Sequence, residues 1–171
     1  GGISSFSSLT LTNLHVTGNS ATGSGGGLIL AFADGVFTNC TFSGNTTPGI
    51  GGAIYFLGDG GHTLRIADST ISGNFASQGG SILNGNGSAS NSRLEVSNST
   101  ITNNSAINNV TSAGIFNVAT IAGGSITATI RNPIIAGNAG LNLRIQAAAG
   151  STATFQTLGF NLSDNFGNIF T

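Results

Sequence analysis

NCTFSGN, at residues 39–45, is one of five copies of a short unit that decides the fold of this chain. Successive copies are 26, 29, 30 and 34 residues apart. A repeat of this length is typical of solenoid proteins, in which each unit buries its apolar face against the next. The other copies are NLHVTGN at 13–19, DSTISGN at 68–74, NSTITNN at 98–104 and NPIIAGN at 132–138.

Each repeat predicts three short strands separated by two corners. An alternating stretch precedes every unit, and its period of two indicates a strand with one buried face. These stretches are LTLT at 9–12, GVFT at 35–38, LRIA at 64–67, LEVS at 94–97 and ATIR at 128–131. The unit holds the second strand, and the third follows a glycine pair or its remnant, in GGGL at 25–28, GGAI at 51–54, GGSI at 79–82 and SAGI at 112–115.

These strands predict an all-β fold, a right-handed parallel β-helix. Three short strands must stack on copies of themselves, which makes equivalent strands parallel, and parallel crossovers favour the right hand. We expect one domain over residues 1–171 with about five to six coils and like residues about 4.8 Å apart. The predicted inner columns are Leu11, Phe37, Ile66, Val96 and Ile130, then Val16, Phe42, Ile71, Ile101 and Ile135, then Leu28, Ile54, Ile82 and Ile115. Segments 141–145 and 152–158 are expected to continue the coils.

Two asparagine ladders are expected at the corners. Asn tolerates left-handed backbone angles, and its amide can bond to the copy in the next coil. Repetition in every coil favours a scaffold role over a binding site. The ladders are Asn13, Asn39, Asp68, Asn98 and Asn132, and Asn19, Asn45, Asn74, Asn104 and Asn138.

The composition excludes several classes of protein. Only 5% of residues are charged and the net charge is −1, whereas phosphate binding to nucleic acid needs clustered cations. The longest apolar run, 28–33, is far shorter than the roughly 20 residues that span a membrane. Cys40 is the only cysteine, which leaves no internal disulfide or cysteine metal cluster. We therefore expect no nucleic-acid partner, no membrane span and no cofactor.

The motifs carry a family resemblance over nearly the whole chain. LTLTN at 9–13, the SGN and GGAI units, NPIIAGN and LGFNLSDNFGNIFT at 158–171 resemble bacterial secreted β-helix proteins described as choice-of-anchor Q domain proteins. FSGN at 42–45 and GGAI at 51–54 are also similar to the short motifs of chlamydial polymorphic outer membrane protein passengers. The resemblance implies an extracellular or cell-surface protein, of which this chain is expected to be an excerpt without its anchor.

The residues point to no catalytic centre. Carbohydrate-active β-helices gather several acids on one sheet face, and here only Asp34, Asp59 and His62 are expected near one edge. We expect a solvated turn at GDGGH, 58–62, with a weak Ca²⁺ site as the alternative. His15 and Cys40 are expected at corners without catalytic partners.

Arg65 and Glu95 occupy equivalent outward positions in consecutive coils. We therefore expect them to face each other across the first sheet as an exposed ion pair. Charged residues also interrupt the outward columns of this sheet, which breaks a regular threonine grid. Those columns are Thr10, Val36, Arg65, Glu95 and Thr129, and Thr12, Thr38, Ala67, Ser97 and Arg131.

Three functions remain open. The leading hypothesis is a non-enzymatic structural or adhesive surface module that contacts a glycan, another protein or a copy of itself. The alternatives are the non-catalytic portion of a polysaccharide-active, pectate-lyase-like enzyme, and an ice or surface binder.

Neither end of the chain reads as a cap. Residues 1–9 carry no charge, and residues 159–171 carry Phe160, Phe166, Ile169 and Phe170 with a single acid. Since solenoids cover their ends, we expect contact with further protein there, and head-to-tail stacking into a filament is one form of it.

Overall fold

A computed structural model describes residues 1–107 and 112–165. This part of the chain is all-β and contains twenty strands. In chain order they are β1 (Ile3–Ser5), β2 (Leu9–Thr12), β3 (His15–Thr17), β4 (Leu28–Ala31), β5 (Gly35–Thr38), β6 (Thr41–Ser43), β7 (Ile54–Leu57), β8 (Thr63–Ala67), β9 (Thr70–Ser72), β10 (Phe75–Ala76), β11 (Ile82–Gly85), β12 (Asn91–Ser97), β13 (Thr100–Thr102), β14 (Ser105–Ala106), β15 (Ser112–Ala119), β16 (Ser125–Arg131), β17 (Ile134–Ala136), β18 (Leu141–Ala147), β19 (Thr152–Thr157) and β20 (Leu162–Ser163).

The strands form three parallel six-stranded sheets that run the length of a β-solenoid, with three strands in each coil. Sheet 1 has the order β2-β5-β8-β12-β16-β19, sheet 2 the order β3-β6-β9-β13-β17-β20, and sheet 3 the order β1-β4-β7-β11-β15-β18. A small fourth pairing joins β10 to β14. The predicted parallel β-helix architecture is confirmed.

The predicted inner columns are confirmed in all three sheets. Phe37 pairs with Leu11 and Ile66 in sheet 1, and Phe42 pairs with Val16 and Ile71 in sheet 2. Their rings are fully buried and lie 5.8 Å apart between centroids, which joins the two sheets at one corner of the core. Burial of apolar area at these columns is the main source of stability.

The inner asparagine ladder is a continuous chain of hydrogen bonds. Each Nδ2 donates to the Oδ1 of the next copy, at 2.9 Å for Asn19, Asn45 and Asn74 and 3.0 Å for Asn104. Each Oδ1 also accepts the backbone N–H of the preceding copy, as from Asn45 to Asn74 at 2.9 Å. The side chains of Asn45, Asn74 and Asn104 are fully buried.

The outer ladder differs from the inner one. Asn13, Asn39 and Asn98 have φ of 56°, 53° and 46°, and Asp68 and Asn132 are also left-handed. The inner-ladder residues have no positive φ. The left-handed position there is the preceding residue, which is Asn103 before Asn104 and a glycine in the other four copies. The expectation of left-handed angles is therefore correct for the outer ladder and wrong for the inner one.

The residues that follow the outer ladder form a third column at the same corner. Cys40 is 2% exposed, and its backbone N–H donates to Ser69 Oγ at 3.0 Å. Ser69 donates in the same way to Ser99 Oγ at 3.1 Å. The next residue is Pro133, which has no N–H, and the Oδ1 of Asn161, which follows it in the column, is buried without a partner. The corner is thus a hydrogen-bonded ladder that ends at the proline.

Strand lengths change along the solenoid. Sheet 1 begins with the four-residue strands β2 and β5 and widens to seven residues in β12 and β16.

The segment 1–9, which carries no charge, contributes β1 as the first strand of sheet 3. At the ends, Phe6 stacks on Phe32 with centroids 6.4 Å apart and Phe160 is 94% exposed. Phe166, Ile169 and Phe170 lie outside the described residues.

The inner ladder gives the first prediction. Asn74→Ala removes the acceptor of Asn45 and the donor to Phe42 O and Asn104 Oδ1, all buried. Each buried polar group left unpaired costs about 1–3 kcal/mol, so we expect a loss of more than about 3 kcal/mol in the free energy of unfolding, measured by urea titration.

Asn19→Ala is the matched control, because Asn19 lies at the half-exposed end of the same ladder and donates to one ladder residue and to Thr17 O. We expect it to cost about 1 kcal/mol. Equal losses for the two variants would contradict the role assigned to the buried ladder.

Candidate functional site

The outer face of sheet 1 carries most of the protein's arginines. Arg65, Arg93 and Arg131 lie on strands β8, β12 and β16, with Glu95 between them. Three of the four arginines of the chain therefore share one face, although they are scattered in the sequence. The outward columns place Arg65, Glu95 and Arg131, whereas Arg93 was not singled out from the sequence.

Three adjoining depressions follow this face. The first, of about 180 Å³, runs from Gly61 past Asn91 to Arg93. The second, of about 370 Å³, extends from Arg93 to Arg131 and Leu158. The third, of about 330 Å³, continues from Arg131 and Leu158 around the corner to Phe160. Neighbouring depressions share lining residues, so the three lie side by side along this face. Together they are here called the sheet 1 groove.

The groove follows the longest strands of the sheet. Its first two parts lie along β12 and β16, each seven residues long, which corresponds to a length of about 20 Å. Its sides carry hydroxyl and amide groups, among them Thr127, Thr129 and Gln156. Thr129 Oγ1 donates to Gln156 Oε1 at 3.3 Å.

The ion pair predicted from the register is confirmed. Arg65 Nε lies 2.9 Å from Glu95 Oε2. Arg93 Nη1 is 4.0 Å from the other carboxylate oxygen, at the outer limit of an ion pair. Within the described residues the Arg131 guanidinium has neither an ion pair nor a hydrogen bond. Two of the three arginines on this face are thus not closely paired with an acid in the described part of the chain.

A buried polar cluster supports the floor of the groove. Asn84 and Asn117 point into the core from sheet 3, and Asn84 Nδ2 donates to Asn117 Oδ1 at 3.0 Å. Ser92 of β12 donates to Asn84 Oδ1 at 2.7 Å, and Asn117 Nδ2 donates to Thr154 O at 2.8 Å. These bonds join sheet 3 to the strands beneath the groove and hold them in register. The sequence analysis did not identify this cluster.

The two acids near GDGGH have different partners and different exposure. Asp34 is exposed and accepts the Thr63 N–H at 2.8 Å, with His62 Nδ1 at 3.6 Å. Asp59 is only 7% exposed and accepts the backbone N–H groups of Gly87 and Ser88 at 2.9–3.3 Å. The expectation of a solvated turn is therefore wrong for Asp59, which anchors the following loop. Burial is possible because these N–H groups compensate the charge.

Among the described residues, the two other sequence candidates, His15 and Cys40, form no ion pair with an acid. His15 pairs in register with Thr41, and Cys40 belongs to the corner ladder. Across residues 1–107 and 112–165 no three His, Cys, Asp or Glu side chains come close enough to hold a metal ion. No helix in the same ranges is long and apolar enough to cross a membrane.

The outer face of sheet 2 has a different character. Its middle coils carry two columns of small hydroxyl residues with no charged side chain between them. None of these hydroxyls has a hydrogen-bond partner in the part of the chain that the structure describes, so all face solvent. The columns are Thr41, Thr70 and Thr100, and Ser43, Ser72 and Thr102.

Comparison of the chain with protein-family models, with curated proteins and with solved structures found no match. The groove and the hydroxyl face are therefore the observations from which a function is argued.

Asp34 gives a prediction about pH. The N–H of Thr63, followed by the side chain of His62, holds the pKa of this carboxyl below its usual value of 3.8. A lowered pKa in the folded state stabilises the fold above the unfolded pKa, and this contribution is lost as the pH falls through the folded pKa. Because Asp34 is exposed, we expect Asp34→Asn to cost below about 1 kcal/mol at neutral pH.

Urea titrations of both proteins over a pH series provide the measurement. The gap between wild type and Asp34→Asn should close once the pH falls below the lowered pKa of folded Asp34, because the carboxyl is then protonated in both states. A gap that persists in acid, or that never exists at neutral pH, would show that the charge of Asp34 does not stabilise the fold.

Proposed function

We propose that this protein is an extracellular adhesive or structural module that binds an extended glycan chain along the sheet 1 groove. The observation that carries the proposal is the row of three adjoining depressions, which share Arg93, Arg131 and Leu158 as lining residues. Small-molecule ligands usually bind in one concave pocket. A groove of about 20 Å on two parallel strands suits a polymer better.

The lining of the groove supports a sugar ligand. Hydroxyl and amide side chains such as Thr127 and Gln156 offer both donors and acceptors, which match the hydroxyl groups of a sugar. At the far end the ring of Phe160 is 94% exposed. An exposed aromatic ring offers an apolar surface against which the C–H face of a sugar packs.

The solenoid contributes rigidity. Each sheet has six parallel strands, which hold the groove residues at regular spacing. The binding of a ligand therefore requires little ordering of the protein. A surface module with a preformed linear groove suits adhesion to a polymer. The extracellular or cell-surface location rests on the resemblance of the scaffold motifs.

Blocking the groove tests the proposal. Thr129 projects into the second depression, and Thr129→Tyr should fill it and weaken polysaccharide binding about tenfold or more, since about 1.4 kcal/mol of lost contact is a factor of ten. Binding is measured by affinity electrophoresis and calorimetry against a panel of neutral and acidic polysaccharides.

Thr70→Tyr is the control, because it adds the same bulk to the outer face of sheet 2. It should bind polysaccharide like the wild type. Absence of binding to every polysaccharide, or equal binding by the two variants, would overturn the proposal.

The hydroxyl face of sheet 2 favours a second candidate, ice binding. Ice recognition needs a flat, regular array of small groups that order water. Thr41, Thr70 and Thr100 stack on successive coils, about 4.8 Å apart. Charged residues interrupt the threonine grid of sheet 1. Sheet 2 carries the more regular array of hydroxyl groups.

Thermal hysteresis measures this second activity. If sheet 2 binds ice, the wild type shows hysteresis, Thr70→Tyr loses most of it by disrupting the array, and Thr129→Tyr keeps it. A wild type without hysteresis eliminates the ice-binding candidate and leaves glycan binding untouched.

A further inference from the structure

We propose that the sheet 1 groove selects acidic polysaccharides, with Arg93 and Arg131 binding carboxylate groups on separate sugars of one chain. This inference rests on the proposed glycan-binding function and names the chemical class of its ligand. It is carried by the charge on the groove and by the spacing of its two available guanidinium groups.

The groove is positive on a protein that is not. Three arginines and one glutamate lie on this face, while the whole chain has a net charge of −1. Of the other five charged residues, four are aspartates and one is Arg144, and none of the aspartates forms an ion pair with Arg93 or Arg131 in the described part of the chain. A positive groove raises the local concentration of an anionic ligand.

Glu95 does not oppose an anion in the groove. Its carboxylate is paired with Arg65 at 2.9 Å, which neutralises the one negative charge on the face. Arg93 lies at 4.0 Å from the same carboxylate and its side chain is 55% exposed, so its donors remain available. In the described residues Arg131 has no competing acid at all.

The spacing of the two arginines favours two anionic groups over one. Arg131 pairs with Ser97, four residues beyond Arg93 on the adjacent strand. Four residues of strand separate the two arginines by about 13 Å along the sheet. Both side chains could reach the same carboxylate only by bending toward each other. Both nevertheless line the second depression. A chain with charges on successive or alternate sugars would meet both.

Guanidinium chemistry suits a carboxylate. Arginine presents a planar fork of donors that binds a carboxylate through two parallel hydrogen bonds. The same fork also binds tetrahedral oxyanions such as phosphate, so a sulfated polymer is one of the comparison ligands in the experiment. Nucleic acid carries far denser charge and is held by many clustered cations, which this groove lacks, so a carboxylated polysaccharide is the favoured ligand.

The experiment uses alginate, a polyuronate, and dextran, a neutral polymer, as probes in calorimetry. We expect the wild type to bind alginate more tightly than dextran, and to lose that preference as salt screens the charges. Arg93→Gln and Arg131→Gln should each weaken alginate binding about tenfold, because each removes a charged hydrogen-bonding partner. Arg131→Lys, which keeps the charge without the fork, should lose less.

Arg144→Gln is the matched control. It also removes one positive charge, but on sheet 3, where the guanidinium carbon lies 4.8 Å from the centre of the Phe116 ring. It should bind alginate like the wild type. An equal loss for Arg144→Gln and Arg131→Gln would indicate nonspecific attraction and overturn the assignment. Circular dichroism and the thermal midpoint confirm that each variant is folded.

The outcomes separate this inference from the proposed function. If Thr129→Tyr weakens binding to dextran while the arginine variants change nothing, glycan binding stands and the acidic specificity is wrong. If dextran sulfate, which has sulfate but no carboxylate groups, or single-stranded DNA binds more tightly than alginate at equal salt, the carboxylate assignment is wrong. If no polysaccharide binds, both fail.

Discussion

The buried carboxamide ladder is the constraint on which the rest of the structure depends. A fully buried amide must satisfy two donors and an acceptor, and Asn74 does so with Asn45, Asn104 and the carbonyl of Phe42. Only another asparagine at the same position in the next coil completes this pattern. A shift of one residue between coils would leave buried polar groups unpaired and would turn the apolar side chains outward. The ladder therefore determines the register of every sheet.

Register in turn determines what lies on the surface. Once Phe37 and Ile66 stack inside sheet 1, the residues next to them along each strand must point outward. This places Arg65 opposite Glu95. Later coils contain longer strands, and the additional outward positions of β12 and β16 accommodate Arg93 and Thr127. The sheet 1 groove is thus a consequence of adding residues to a coil without disturbing the ladder. Repeat proteins tolerate such additions because each coil contacts only its neighbours.

Most of the fold could be predicted from the sequence because its signals repeat. The inner columns, the ladders and the pairing of Arg65 with Glu95 all follow from aligning five copies of one unit. Features that occur once were not predictable in this way. The burial of Asp59 depends on its hydrogen bonds to the loop around Gly87, and the Asn84–Asn117 pair occupies inward positions that are Leu30 and Phe56 in earlier coils. The groove belongs to this second kind, since it requires side chains from several coils that no shared motif connects.

The low charge of the protein gives these few arginines their importance. In a typical domain about a quarter of the residues are charged. Neighbouring acids and bases would there offset the field of two exposed guanidinium groups. Here Arg131 has no acid beside it among the described residues, and the acid closest to Arg93 is already paired with Arg65. A scaffold held by neutral amides and buried apolar columns needs no surface ion pairs for its stability. Its outer faces can consequently change charge from coil to coil without cost to the fold, and a ligand preference can be built on one sheet by two residues alone.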